Sequence, residues 1–499
     1  MSRTVLRGAY ALQGAGLTFE RRQLDVVIEG ERIAAIEAAN TVREADQVID
    51  LSRRLLVPGL VNGHLHSHEH FHRGLTENLP LEVWQHYVRP PVAVPFTPRH
   101  VYLRAALGAI ETLRTGGTCL VDDMAVGGAI DRGQIDAVLQ AYDDVGVRAL
   151  LGFAMMDRPL VDNFPFVDTL PSELVARMRA LSRPTAAEYT ALVRDLARSR
   201  HPRARRVGVL VSASAPQRCT QEFLLACRRL ADELDVPLIT HVQETRMQVV
   251  SGQQFYGAPI VEYLAGIGFL GPRTSLIHAV WLNPREIRAL ADAGATVQHN
   301  PWSNLTLGSG VQPTRALLEA GVNVSLGSDG ACSTVSLNML QVAGAAAALS
   351  KVRDADYATW LSAHEVLAAG TQGGARALGF GAALGVIERG ALADLVAYRL
   401  DSVPFTPLHD PVRQLIYAER GAGIDFVMVN GEAALRDGRL TRVDEPRLLA
   451  EIHGEIDKLA EQFAASASSV GPVRTAMEAL YRRTLGAQIP PDTYPARLT

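Results

Sequence analysis

The run Pro58-Gly59-Leu60-Val61-Asn62-Gly63-His64-Leu65-His66 constrains this chain more than any other segment, because it sets two imidazoles two residues apart at the end of a short apolar stretch. Side chains alternate across a strand, so His64 and His66 share one face and can hold a single metal ion. Imidazole suits zinc and its first-row neighbours. A His-x-His pair is only half a site, and three later segments of the same design supply the rest. Val236-Pro237-Leu238-Ile239-Thr240-His241 ends in a histidine, with Glu244 on the loop beyond, and Thr274-Ser275-Leu276-Ile277-His278 repeats the pattern. Val322 to Gly330 then brings Asp329 between small residues. Each group falls just past the C-terminal end of an expected strand, where a β/α barrel gathers its catalytic residues.

Between these segments, apolar β-branched runs alternate with longer helical patterns, the mark of a parallel β/α succession. The expected fold is therefore α/β, a TIM-like (β/α)8 barrel over residues 58–384. Residues 1–57 read as short strands too few to bury a core alone, and 385–445 have the same character, so the two ends are expected to join in one small β-sandwich. From 446 to 499, Leu448, Leu449, Ile452, Ile456 and Leu459 predict an amphipathic helical extension that covers the barrel or joins another subunit. Residues 153–184 exceed ordinary loop length and suggest a lid or pocket wall, with a plain surface insertion as the alternative.

Bulk properties narrow the function classes. With 47% hydrophobic and 20% charged residues, 499 positions suffice for a large core and disorder is not indicated. A formal net charge of −4 leaves no electrostatic footprint for nucleic acid. No leader pattern opens the sequence and no run of eighteen or more apolar residues follows, so no membrane partner and a cytoplasmic location are expected. Cys119, Cys219, Cys227 and Cys332 show no Cys-x-x-Cys spacing and read as small buried hydrophobes, Cys332 alone lying near the expected site.

The ordered motifs together resemble the amidohydrolase superfamily, specifically its cytosine-deaminase and chlorohydrolase-like branch of metal-dependent hydrolases. The resemblance runs through residues 58–66, Arg73-Gly74-Leu75, Glu111 to Gly116, His241-Val242-Gln243-Glu244-Thr245, His299-Asn300-Pro301-Trp302-Ser303-Asn304, Gly327-Ser328-Asp329-Gly330 and Gly390 to Val396. It implies His64, His66, His241 and Asp329 as ligands of one divalent metal per chain, zinc by default, with iron, manganese or cobalt as alternatives. Such a metal brings bound water toward a pKa of about 7 and so supplies hydroxide for attack on an amino-bearing carbon. Glu244 is the expected proton donor, His278 orients or polarises the attacked group, and Asp329 also accepts the water proton. The fourth expected strand, Arg206 to Ser214, offers no bridging lysine or glutamate for a second metal.

The histidines at 64, 66, 68, 70 and 72 alternate, and the flanking motifs fix 64 and 66 as the ligands. His68 and His70 are expected to help read substrate, with solvent-facing loop histidines as the alternative. Trp84 joins them as a substrate contact. For His299 and Asn300 a structural role competes with substrate contact. The leading expectation is a hydrolytic deaminase of a small heterocycle. The alternatives are hydrolysis of an acyclic amide, urea or carbamate, dechlorination of a ring, or a scaffold that has lost its metal. A small-molecule substrate and a homo-oligomer are expected.

Overall fold

The computed structural model describes residues 3–334 and 336–496. Parallel strands dominate its middle: a four-stranded sheet of Leu60–Leu65, Gly117–Ala125, Arg148–Ala154 and Val207–Val209, and a five-stranded sheet of Val211–Ser212, Leu238–Val242, Thr274–His278, Thr296–His299 and Asn323–Leu326. The two meet where one strand is split at Leu210, whose N–H still donates to Leu151. Several of these strands, Leu60–Leu65 and Arg148–Ala154 among them, are buried along their whole length. That burial on both faces explains why they read as continuous β-branched runs instead of alternating ones. Helices such as Pro98–Arg114, Arg132–Val145 and Gln221–Leu234 lie between successive strands, each started by a capping side chain: Thr97, Asp131 and Thr220.

The two chain ends pair directly. Arg54–Pro58 runs antiparallel to Leu395–Arg399, Pro58 opposite Leu395 and Arg54 opposite Arg399. Leu395–Arg399 continues into Ile424–Val429, while Arg3–Gln13 pairs with Leu24–Glu29, Gln47–Asp50 and Arg54–Pro58 in turn. Leu6, Val26, Ile28, Leu56, Leu395 and Phe426 form a separate buried cluster there. Since Pro58 closes this ladder and Leu60 opens the first parallel strand, the terminal sheet sets the position of the His64 strand. A buried ion pair locks the same junction: Arg148 donates to Asp394 at 2.8 and 2.9 Å and to Asn430 at 2.8 Å.

The C-terminal helices fold back on the chain. Glu445–Lys458 lies on Pro98–Arg114 with Leu448 and Ile452 buried, and Gly471–Leu485 packs on Leu81–Val88 and Arg246–Tyr256. Within residues 153–184, beyond the strand end at Ala154, lie short helical turns and the helix Ser172–Arg179. Their Phe164, Leu174 and Met178 share one apolar cluster with Val83, Met247 and Met477. All four cysteines are free and buried, and burial pushes the Cys119 and Cys219 thiols up to about 12. Among the described residues no helix is long and apolar enough to cross a membrane.

Candidate active site

Every strand that ends in a metal-capable side chain delivers it to the same end of the parallel sheets. The ring centroids of His64 and His66 lie 4.6 Å apart, those of His64 and His241 4.9 Å, and those of His241 and His278 5.6 Å. Asp329 places Oδ1 3.4 Å from Nε2 of both His64 and His66. Its own N–H donates to the His64 carbonyl at 2.9 Å, which couples the last strand's exit to the first strand's. Gly327 and Gly330 bracket it because nothing larger fits: a Cβ on Gly327 would stand 2.4 Å from Asn300 Oδ1, and one on Gly330 1.8 Å from Glu69 Oε2.

Backbone strain concentrates here. Gln243, His278, Ala279 and Asp329 hold φ of 46°, 70°, 45° and 67°, a region that side-chain-bearing residues seldom occupy and that marks functional sites when the surroundings enforce it.

The hydrogen bonds orient the imidazoles. His66 Nδ1 donates to the Asp123 carbonyl at 2.7 Å and His241 Nδ1 to the Ser214 carbonyl at 2.8 Å, so each turns an unprotonated Nε2 toward the cluster. Burial pulls the pKa of His64, His66 and His241 below the ordinary imidazole value, which keeps them neutral as ligands must be. His64 is fully buried and neither of its ring nitrogens has a hydrogen-bond partner. An unsatisfied imidazole in the interior is costly unless something coordinates it. Donor atoms of His64, His66 and Asp329, and likewise of His64, His241 and His278, lie within 4.8 Å of one another. The donor set fits a divalent cation.

The two carboxyls that flank His278 are shifted in opposite directions. Burial, reinforced by the Asp329 charge, pushes Glu244 up to about 7 against the pull of His278. Burial also opposes charge on Asp329, but the surrounding imidazoles, His64 first and then His278 and His66, outweigh it and hold that carboxyl well below its usual range. His278 Nε2 sits 3.6 Å from Glu244 Oε2 and 3.7 Å from Asp329 Oδ2. Its Nδ1 faces Asn304 Oδ1 at 2.9 Å and Asn300 Nδ2 at 3.4 Å. The Ser303 hydroxyl donates to Asp329 Oδ2 at 2.6 Å.

A pocket opens over this cluster, lined by His66, His68, Trp84, Glu244, His278 and Asp329. Its walls also include Gln85, Arg89, Arg218, Gln248 and Leu307, none of which sequence patterning singles out, since each sits on a helix or a turn beyond a strand end. The only available signal was for Arg218, which follows the fourth strand position where barrel folds put binding residues. The cavity holds about 40 Å³, and Leu81, Trp84 and Val88 of helix Leu81–Val88 form part of its wall.

Other expected contacts are placed elsewhere. His68 lines the pocket, but His70 turns away: its Nδ1 donates to the Arg104 carbonyl at 2.7 Å and its ring fills the space above Gly108. Burial pulls that imidazole down to about 4. Residues Ser67–His72 form a 3-10 helix, whose three-residue period separates positions two apart that a strand would align. His299 is buried beside a different cavity, lined by Gln312, Thr314 and Arg353. Asn300 is fully buried, its Nδ2 3.4 Å from His278 Nδ1. Cys332 packs with Leu81, Trp84 and Leu307, its thiol pushed up by burial to about 11.

Residues 55–434 match the amidohydrolase family. A 5'-deoxyadenosine deaminase of Methanothermobacter thermautotrophicus is 36% identical over 461 residues, covering 92% of this chain and 98% of that protein. A 5-methylthioadenosine/S-adenosylhomocysteine deaminase of Thermococcus kodakarensis is 34% identical over 429 residues, covering 86% and 93%. Among solved structures, an adenosine deaminase from Xanthomonas campestris with bound zinc superposes with a TM-score of 0.80 at 30% identity, covering 92% of this chain and 98% of that one. An atrazine chlorohydrolase from Arthrobacter aurescens complexed with zinc gives 0.82 at 26% identity, covering 90% and 99%. The chain belongs to the amidohydrolase family and is a metal-dependent hydrolase of carbon–nitrogen bonds.

Proposed function

We propose that the protein is a hydrolytic deaminase of 6-aminopurine nucleosides or close analogues, dependent on one zinc ion held by His64, His66, His241 and Asp329. The observation that carries this reading is the placement of two carboxyls around one imidazole beside the metal-capable cluster, Glu244 Oε2 3.6 Å and Asp329 Oδ2 3.7 Å from His278 Nε2. Replacing an aromatic C–NH2 by C=O needs an acid for the ring nitrogen and a base for water, and two carboxyls pushed apart in pKa supply both. A divalent cation held by these residues would supply a hydroxide nucleophile at neutral pH.

The chain's own groups do the remaining work. Glu244 gives its proton to the ring nitrogen as the aromatic carbon is attacked and recovers one from the newly added hydroxyl as the carbonyl forms. Asp329 would help to hold the cation, and its Oδ2, which receives the Ser303 hydroxyl, accepts the proton lost by water and passes it on to the departing amine as ammonia forms. His278, fixed by Asn304, directs Nε2 into the space between them. His68 and Trp84 contact the heterocycle. In the same reading residues 58–384 form a closed (β/α)8 barrel, residues 1–57 and 385–445 a β-sandwich, and 446–499 a helical extension of a cytoplasmic homo-oligomer.

The test is a substrate panel of 5'-deoxyadenosine, 5'-methylthioadenosine, S-adenosylhomocysteine and adenosine beside triazines, anilides and ureas. Ammonia released in step with the ultraviolet change from adenine to hypoxanthine is expected. Release of substituted amine or chloride from the other compounds, with the aminopurines untouched, would overturn it.

A further inference from the structure

The stretch from Thr484 to Ala496 ties together the loops that carry the proposed catalytic groups. Arg246, two residues beyond Glu244, donates Nη2 to the Ala487 carbonyl at 2.6 Å and Nε to the Thr484 carbonyl at 3.3 Å. Four residues beyond His278, the Leu282 carbonyl accepts the Tyr494 N–H at 2.8 Å. Val311, beyond helix Pro301–Thr306, is clamped from both sides: its N–H donates to the Ala496 carbonyl at 2.7 Å, and its own carbonyl accepts Arg353 Nη1 at 2.7 Å. The same Nη1 donates to the Pro495 carbonyl at 2.9 Å, and the guanidinium lies 5.6 Å from the centre of the Tyr494 ring. Ala496 is buried with Val249, Val280 and Trp281. Gly310 leaves it room: its φ is 128°, and a Cβ there would stand 2.6 Å from the Ala496 carbonyl oxygen.

The neighbours of Val311 reach the catalytic groups. Ser309, whose carbonyl accepts the Trp281 Nε1–H at 2.9 Å, donates its hydroxyl to Glu244 Oε1 at 3.4 Å. Gln312 donates Nε2 to the His278 carbonyl at 2.6 Å, and the Thr314 hydroxyl fixes its Oε1 at 2.9 Å. His278 holds a φ of 70°, a backbone state that persists only when its surroundings enforce it. Residues 309–313 belong to no helix or strand, so their position depends on what they are tied to. Ser309, Gln312, Arg353 and Tyr494 all lie outside the lining of the active-site pocket.

We infer that Arg353 and the segment Tyr494–Ala496 are positioning elements for the reaction: they hold Val311 so that Ser309 keeps Glu244, and Gln312 keeps His278, in place from outside the pocket. This inference rests on the roles given above to Glu244 and His278. A misplacement of about 1 Å relayed from outside a site can cost about 100-fold in rate, so the effect is read in kcat.

The test compares the zinc-loaded wild type with Arg353→Met, Arg353→Lys and a chain stopped after Asp492, each on the best substrate of the panel above. Arg353→Met and the shortened chain should lower kcat about 10- to 100-fold while KM and zinc content stay within about twofold. Arg353→Lys still donates to both carbonyls and should keep kcat within about threefold of wild type. Gln312→Met should lower kcat about as much as Arg353→Met, and the double variant should lose far less than the product of the two, because both act through one bond to His278. Losses that multiply, or a wild-type kcat in Arg353→Met and the shortened chain alike, would overturn the inference. Should either of these fail to fold, Tyr494→Leu, which removes the ring beside Arg353 and keeps the backbone bonds, takes its place with the same expected direction. Glu244→Gln separates the two readings: if it stays active, the assignment of the site falls, whereas an inactive Glu244→Gln beside wild-type kcat in the Arg353 and tail variants removes only the positioning role.

Discussion

Replacing Glu244 by glutamine removes the acid on which the proposed chemistry turns while changing little else. The side chain is 3% exposed, its Oε1 receives the Ser309 hydroxyl at 3.4 Å, and its N–H is held by Gln248 at 2.9 Å. Glutamine has the same shape and no charge to bury, so the fold should persist. Raising the carboxyl from 4.5 to about 7 corresponds to roughly 3 kcal/mol. At pH 7 it keeps about half the molecules protonated, where an ordinary glutamate would leave under about 1%. The sign follows from the role: the acid form is active, so wild-type kcat/KM should fall about tenfold per pH unit above Glu244's titration. Glu244→Gln should lower kcat by about 10²- to 10⁴-fold and abolish that alkaline limb, with metal content unchanged. The assay is ammonia release across pH 5.5 to about 9.5, read with metal analysis of both proteins. A variant within about tenfold of wild type, or one that keeps the limb, would refute the assignment of the proton to Glu244.

Other perturbations separate positioning from packing. Asn304→Leu frees His278 Nδ1 from its 2.9 Å partner and should lower kcat by about 10-fold or more with unchanged metal content, since the affected ring is no proposed ligand. His68→Ala should raise KM for the best aminopurine. His70→Ala should instead cost about 1–3 kcal/mol in denaturant unfolding and leave KM near wild type, because its ring fills the space over Gly108. Arg148→Met strands the buried Asp394 carboxylate and should destabilise the protein by about 3–5 kcal/mol in the same measurement.

Much of the site was legible because strand geometry is local. His64, His66, His241, His278 and Asp329 all follow apolar runs, and parallel strands in one sheet present their C-terminal ends on one side. The pairing of Arg54–Pro58 with Leu395–Arg399 was legible as two sets of strands each too small to bury a core. Legibility ended where the backbone left the strand. Alternation across His64 to His72 implied a shared face, but the 3-10 turn at Ser67–His72 sends His68 to the pocket, His70 to helix Pro98–Arg114 and His72 against Phe96 and Phe463. Arg89, Gln85 and Arg218 reach the pocket through the packing of helix Leu81–Val88 over the turn Pro216–Arg218, a tertiary contact no local period announces. The segment 153–184 was rightly marked as breaking the β/α rhythm. Its apolar residues find their partners in helix Gly471–Leu485, some three hundred residues away in sequence.

The convergence of three imidazoles and one carboxylate on a single cation is tested most directly by anomalous diffraction from zinc-loaded crystals. The account predicts one peak per chain at about 2.0–2.2 Å from a ring nitrogen of His64, of His66 and of His241 and from an oxygen of Asp329. Two peaks in the pocket, or one that leaves His64 uncoordinated, would contradict it.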